Sequence, residues 1–279
     1  MVRIVCWALV VACVVQEQPL GAPPGVEMIA DLVYGSPGGR DLNLDLFLPK
    51  SGTGPFPAIV YIHGGGWRSG SRGQFRRHAA YMATIGFVGA TIEYRLSGEA
   101  KYPAAVEDSQ AAVRWLRANA AKYNIDPQRV GAAGQSAGGH LAALLGVSAD
   151  PAVQVQAVAA FNPILDLAAA AETSPGEAGS AVTSFLGASY AENPELWREA
   201  SPLAHVSKQS APMLFLHGTA DATVPHAQSV TMRDALIKAG VAAELYSVEG
   251  AGHMWFFNSE ADFQSSLRRM EEFFRKYLK

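Results

Sequence analysis

Two short stretches of the chain are apolar from end to end. Ala58–Ile62 and Val88–Ile92 carry no charge and show no alternation of polar with apolar residues, which is the pattern of strands covered on both faces. Such a sheet needs helices on either side, and helical periodicity follows. After Pro103, residues Ala105, Val106, Ala112, Val113, Leu116 and Ala120 recur at helical spacing until Asn124 and Asp126-Pro127 end the pattern. Val130–Ala133, Val155–Phe161, Met213–Leu216 and Glu244–Val248 read as further strands, and Gly139–Leu145, Ala227–Ala239 and Phe263–Tyr277 as helices. Strands alternating with helices imply an α/β class, with a mostly parallel central sheet and helices on both faces. Ahead of it, Glu27–Tyr34 and Asp41–Phe47 flank the turn-rich Gly35-Ser36-Pro37-Gly38-Gly39 and signal a β-hairpin.

Composition narrows what such a sheet can serve. With 49% hydrophobic and 17% charged residues in 279, there is material for one large core, and disorder, collagen and coiled coil are excluded. The 22 Lys plus Arg against 25 Asp plus Glu leave a net charge of −3. With no dense basic cluster, nucleic acid is not an expected partner. Cys6 and Cys13 both lie in the first apolar stretch, so the body of the chain holds neither a disulfide framework nor a thiolate metal site. H-E-x-x-H and P-loop patterns are absent, and no metal or cofactor is expected.

Residues 1–24 read as a leader. Arg3 precedes an uncharged run, Ile4–Val15, too short for a bilayer that needs ~20 apolar residues, and the polar, Pro-rich Gln16–Pro24 follows. Signal-peptidase cleavage and lipidation at Cys13, where Val10-Val11-Ala12-Cys13 resembles a bacterial lipobox, are two processing routes. A buried N-terminal strand or helix without export is the third reading. The expectation is a secreted or periplasmic protein, tied to a membrane only through a lipid at Cys13, with residues 25–279 forming the folded domain. Within it, Asp166–Pro202 is rich in Ala and Gly, is interrupted by Pro175 and Pro194, and fits neither strand nor regular amphipathic helix. In an open α/β sheet ligands bind beyond the carboxyl ends of the strands, so this insertion is expected to wall or partly cover the site.

The chemistry concentrates at those strand ends. Gly134-Gln135-Ser136-Ala137-Gly138 is a G-x-S-x-G motif between a strand and a helix. So sharp a turn lifts the serine hydroxyl to a helix N-terminus, and its small flanking residues let backbone pass closely. His63-Gly64-Gly65-Gly66-Trp67 follows the strand Ala58–Ile62; the amides of Gly65 and Gly66, with that of Ala137, are candidates for an oxyanion hole. A dinucleotide loop would need glycine at position 69, where Ser69 stands. A serine nucleophile needs a histidine base oriented by a carboxylate. His217-Gly218-Thr219-Ala220-Asp221 and Gly250-Ala251-Gly252-His253 each follow a strand directly, giving the candidate triad Ser136, Asp221 and His253 in α/β-hydrolase order. Asp166 is the competing acid, lying several residues past its strand. His217 and His226 read as structural partners of the acid, His140 as facing away from the site, and His63 as a brace for the glycine loop.

These pieces together resemble an α/β-hydrolase of the esterase branch that includes hormone-sensitive-lipase-type carboxylesterases and bacterial acetyl and feruloyl esterases. Besides the motifs above, Glu93-Tyr94-Arg95-Leu96, Tyr102-Pro103-Ala104-Ala105-Val106-Glu107-Asp108 and Gly139-His140-Leu141-Ala142 match, and the likeness runs in order over residues 58–257. Hormone-sensitive-lipase-type enzymes carry a helical cap before the first strand, whereas only a leader and a hairpin precede Ala58. That leans toward the polysaccharide-acyl esterases. The resemblance implies a serine carboxylesterase for short-chain acyl or compact aromatic esters, including acyl groups on plant polysaccharides. Amide hydrolysis, by an arylformamidase or a dipeptidyl-type peptidase, is the alternative within enzymes, and a non-catalytic binding module is the alternative outside them. Trp67, Tyr94 and Trp255 are candidates either for sugar or phenolic contacts at the mouth or for core packing.

Overall fold

In the computed structural model, which describes residues 21–173 and 177–279, every run read as a strand pairs into one sheet. Its strands are β1 (Val26–Gly35), β2 (Leu42–Pro49), β3 (Phe56–Ile62), β4 (Val88–Ile92), β5 (Ile125–Gln135), β6 (Ala157–Phe161), β7 (Met213–Gly218) and β8 (Ala243–Val248), in the order β1-β2-β4-β3-β5-β6-β7-β8. The hairpin β1–β2 is antiparallel and β2 pairs antiparallel with β4; all remaining pairs are parallel. The helices are α1 (Arg76–Thr84), α2 (Ala104–Ala118), α3 (Ala137–Val147), α4 (Leu167–Thr173), α5 (Glu177–Leu186), α6 (Pro194–Glu199), α7 (Ala227–Lys238) and α8 (Glu260–Leu278). Among the described residues no helix is long and apolar enough to cross a membrane. The expected leader, Cys13 included, lies outside the described residues up to position 20.

The side-chain period of a strand explains why β3 is apolar throughout. Ala58, Val60 and Ile62 face one core with Val113, Leu141 and Phe215. Ile59 and Tyr61 face the other, with Met82, Met270 and Phe274. Helices α1 and α8 cover the second face, and α2, α3, α7 and the insertion cover the first. The amphipathic α8 starts at Ser259, whose hydroxyl accepts the Asp262 N–H at 3.1 Å.

Asp45, fully buried on β2, anchors the turn that precedes α1. Its carboxylate meets Arg72 Nε at 3.0 Å and Arg76 Nη2 at 2.8 Å. It also accepts the Asp31 N–H at 3.1 Å, from a β1 bulge where Asp31 takes the left-handed conformation. Arg72 further pairs with Asp31 and with Glu93, so this short segment is fixed to β1, β2 and the residue that follows β4.

The insertion departs from expectation by being helical: it consists of α4, α5, α6 and a 3₁₀ turn at Pro202–His205. Pro194, read as an interruption, occupies the first turn of α6, where a missing N–H costs nothing, and Asn193 caps it by accepting the Leu196 N–H at 3.1 Å. Its apolar side chains also form a continuous face. Leu167, Ala170, Ala181, Val182, Phe185 and Trp197 are buried in the first core.

Because β4 flanks β3 on one side and β5 on the other, the strand order reverses at β3. The loops leaving β3 and β5 therefore diverge around a crevice at the carboxyl edge. Those are the glycine loop and the G-x-S-x-G turn.

Candidate active site

Ser136 sits where β5 becomes α3 with φ 53° and ψ −118°, a left-handed backbone that a non-glycine residue adopts only when its surroundings impose it. They do so here. The Ser136 N–H donates to Phe161 O on β6 at 2.8 Å, and Ser136 O accepts the His140 N–H at 3.0 Å to begin the helix. A Cβ on Gly134 would lie 2.2 Å from Gly138 O, and one on Gly138 would lie 2.1 Å from Ile62 O. The two glycines are thus demanded by backbone packed against backbone.

The structure brings Asp221 and His253 together. His253 Nδ1 donates to Asp221 Oδ2 at 2.7 Å, and Asp221 Oδ1 accepts the N–H groups of Thr223 and Val224, both at 2.8 Å. The acid and base loops are tied to each other through Ala220 N–H to Ala251 O at 3.0 Å and Gly250 N–H to Thr219 Oγ1 at 2.9 Å. Burial pushes the Asp221 carboxyl up, but hydrogen bonds from His217, His253 and the Val224 amide, with the charge of His253, outweigh it and hold the group well below the ordinary carboxylate range. His217, buried, lies 3.4 Å from Asp221 Oδ2 and is fixed by Ser229 Oγ at 2.7 Å and Val224 O at 2.9 Å. His226 meets Ser247 Oγ at 2.9 Å. Asp166 takes no part in this cluster: its Oδ1 accepts the Ala169 N–H at 3.2 Å at the start of α4.

In the glycine loop, Gly65 O accepts the Arg68 and Ser69 N–H groups at 3.0 and 3.1 Å and closes a tight turn. Among the described residues none of the N–H groups of Gly65, Gly66 and Ala137 donates to a protein acceptor, which leaves all three for an oxygen of the substrate. His63 braces this loop, its Nδ1 2.8 Å from Gly64 O and its ring stacked on Tyr94 at 4.3 Å. Burial pushes His63 down to about 4, against the opposing pull of Gly64 O and Glu93, so it is neutral at pH 7. His140 is buried on α3 with Nε2 2.7 Å from Ala200 O, away from Ser136. Of the three aromatic candidates for the mouth, none is there. Trp67, Tyr94 and Trp255 are all buried: Trp67 stacks on Phe185 of α5 at 4.5 Å, Tyr94 donates to His63 O at 3.1 Å, and Trp255 packs on Phe256.

Three site residues had no signal in the sequence. Asn162, at the end of β6, accepts the Gly218 N–H at 3.2 Å and donates to His253 O, so it ties both triad loops to the sheet. Gln135 places its Nε2 3.0 Å from His253 Nε2. Gln74 accepts the Gly64 N–H at 2.6 Å and donates to Gln135 Oε1 at 3.2 Å. Among the described residues no cluster of three His, Cys, Asp or Glu side chains is placed to hold a metal ion.

Residues 44–236 match the BD-FAE family model, a span that takes in the glycine loop, the serine turn and Asp221. The chain belongs to the BD-FAE family. Esterase LipQ of Mycobacterium tuberculosis is 35% identical over 231 residues, covering 78% of this chain and 55% of that protein. The BD-FAE chain thus spans about half the length of the curated relatives it matches. Among solved structures, Thermogutta terrifontis esterase 2 phosphonylated by sarin has a TM-score of 0.79 at 33% identity, with 91% of this chain and 95% of that chain covered. A truncated carbohydrate esterase from gut microbiota has a TM-score of 0.76 at 30% identity, with 90% and 95% covered. The α/β-hydrolase fold implied by the motifs is therefore the fold of this chain, shared with these esterases.

Proposed function

We propose that this BD-FAE chain is a serine carboxylesterase. Ser136 Oγ attacks the ester carbonyl while His253 Nε2 takes its proton. Asp221 holds Nδ1–H and stabilises the imidazolium, and the N–H groups of Gly65, Gly66 and Ala137 receive the developing oxyanion. The imidazolium returns its proton to the leaving alcohol, and water, activated by the same base, then releases the acid from Ser136. The observation that carries this reading is the 2.7 Å bond from His253 Nδ1 to Asp221, which fixes the tautomer whose Nε2 lone pair can accept a proton, beside a serine held on a strained turn.

Cover and the neighbours support a substrate class of short-chain esters. Thermogutta terrifontis esterase 2 has been captured with propionate and with butyrate bound, which supports short acyl groups. The insertion commits its apolar face to the core, which supports the absence of a long acyl tunnel, since each buried methylene would have contributed ~0.8 kcal/mol. A carbohydrate-linked alcohol is supported by the gut carbohydrate esterase neighbour but no longer by aromatic groups at the mouth. The leader-like residues 1–24 support a secreted or periplasmic setting.

The test is labelling with an organophosphonate followed by peptide mass analysis, with kcat/KM measured across p-nitrophenyl acetate, butyrate, octanoate and palmitate. Labelling of Ser136 alone and a fall in kcat/KM beyond butyrate are expected. Labelling elsewhere, or a maximum at octanoate or longer, refutes the assignment or the substrate class respectively.

A further inference from the structure

Four hydrogen bonds run from the glycine loop through the base to the acid. The Gly64 N–H donates to Gln74 Oε1 at 2.6 Å, Gln74 Nε2 to Gln135 Oε1 at 3.2 Å, Gln135 Nε2 to His253 Nε2 at 3.0 Å, and His253 Nδ1 to Asp221 Oδ2 at 2.7 Å. Both ends have fixed polarity, because a backbone N–H only donates and a carboxylate only accepts. Every amide orientation and the imidazole tautomer between them are then determined. Space is reserved for the chain as well: a Cβ on Gly64 would lie 1.9 Å from Gln135 Oε1, so the first glycine of the loop makes room for this amide, whereas Gly65 and Gly66 are the expected oxyanion donors.

Among the described residues no hydrogen bond joins Ser136 Oγ to His253; the Nε2 lone pair that must receive the serine proton is held by Gln135 instead. We propose that Gln135, oriented by Gln74, is a positioning residue that keeps His253 neutral and parked until Ser136 takes its place at Nε2. The proposal rests on the triad reading above. An amide N–H bonds only to neutral imidazole, since the imidazolium carries a proton at Nε2. The charged or titratable groups facing His253 among the described residues are Asp221, on the loop after β7, and behind it His217. On the Nε2 side stand the uncharged Gln135 and, bonded to its amide, Met254, and under the backbone stands the uncharged Asn162. Removing the amide therefore favours the imidazolium, which is inactive as a base, and the acid limb of the kcat/KM profile moves to higher pH.

The experiment compares kcat/KM against pH on p-nitrophenyl acetate for wild type, Gln135→Met, Gln74→Leu, the double variant and Gln135→Glu, each shown to be folded by circular dichroism. In Gln135→Met the acid limb is expected to move up by about half to one pH unit, the equivalent of one ordinary hydrogen bond. Gln74→Leu moves it less in the same direction. The double variant moves it no further than Gln135→Met, because Gln74 acts on the base only through Gln135. The near-isosteric Gln135→Glu moves it furthest, since a carboxylate accepts from the imidazolium. An acid limb unmoved in Gln135→Met and Gln135→Glu, or equal and additive shifts from the two glutamines, overturns the proposal while leaving the triad standing. Failure of wild-type Ser136 to react with the phosphonate overturns both.

Discussion

Replacing Asp221 by Asn exchanges one oxygen for an amino group, and the bonds already in place decide which one. Oδ1 accepts two backbone N–H groups, from Thr223 and Val224, each at 2.8 Å. Neither donor can be reversed, so the asparagine keeps its carbonyl oxygen there and turns its NH₂ toward His253 Nδ1, 2.7 Å from the original Oδ2. Two donors cannot share that contact. Nδ1 gives up its proton, the imidazole carries hydrogen at Nε2, and the atom that should accept from Ser136 now opposes it. The Nε2–H also meets the Gln135 amino group, which cannot flip without reversing Gln74 against the fixed Gly64 N–H. A wrong tautomer costs about 10⁴ in kcat, or ~5.4 kcal/mol of transition-state stabilisation at 1.36 kcal/mol per tenfold. The same substitution flattens stability at low pH. The Asp221 carboxyl lies below its ordinary range in the folded chain, so its contribution is present at neutral pH and is lost as pH falls through about 4 and below. The control is Asp166→Asn, which keeps the bond to the Ala169 N–H and should leave kcat within about twofold, as Asn caps helices as well as Asp does. The assay is kcat on p-nitrophenyl acetate with thermal melts at pH 7 and pH 4. A folded Asp221→Asn variant within tenfold of wild-type kcat, or an Asp166→Asn variant that is the more damaged, refutes the reasoning.

Two further substitutions probe the frame around the site. Gly138→Ala sets a methyl 2.1 Å from Ile62 O and 2.4 Å from His63 O, both backbone, so the turn must shift. Overpacking of about 1–3 kcal/mol in denaturant titration and at least about 10² in kcat are expected, and a variant as active as wild type would show that the turn is more pliable than its packing implies. Asp45→Ala takes away the buried carboxylate that lies 2.8 Å from Arg76 and 3.0 Å from Arg72; Arg72 keeps Asp31 and Glu93, whereas Arg76 loses its carboxylate partner. It should destabilise the protein by about 3–5 kcal/mol, and a change below 1 kcal/mol would mean that solvent reaches the pair freely.

The serine turn, the acid and the base were legible because each lies on a loop just after a stretch that reads as a strand. A strand end places its loop on the carboxyl edge whatever the order of the strands. That order was not legible: nothing in Ala58–Ile62 says that β4 and β5 flank it, since parallel neighbours are chosen by helix crossovers and not by local pattern. Burial of Trp67 was hidden for a related reason. Its partner, Phe185, is far away in sequence, on a helix masked by an Ala- and Gly-rich composition and two prolines, one of which proved to be a helix start. The glutamine pair was hidden most completely. Gln74 sits in Arg72–Phe75, a short 3₁₀ turn without periodicity, and an uncharged amide reveals a role only when its partners on both sides are seen.

Helix α5 leans on the oxyanion loop from the side of the insertion. Phe185 stacks on Trp67, its carbonyl accepts the Tyr102 N–H at 2.9 Å, and a Cβ built on Gly66 would sit 3.4 Å from that of Ala181. The insertion is therefore a buttress for the loop that carries two of the proposed oxyanion donors. An engineer who grafts a foreign insertion here therefore also removes the packing that holds the glycine loop in place. Libraries that vary α5 while fixing Ala181 and Phe185 preserve that packing.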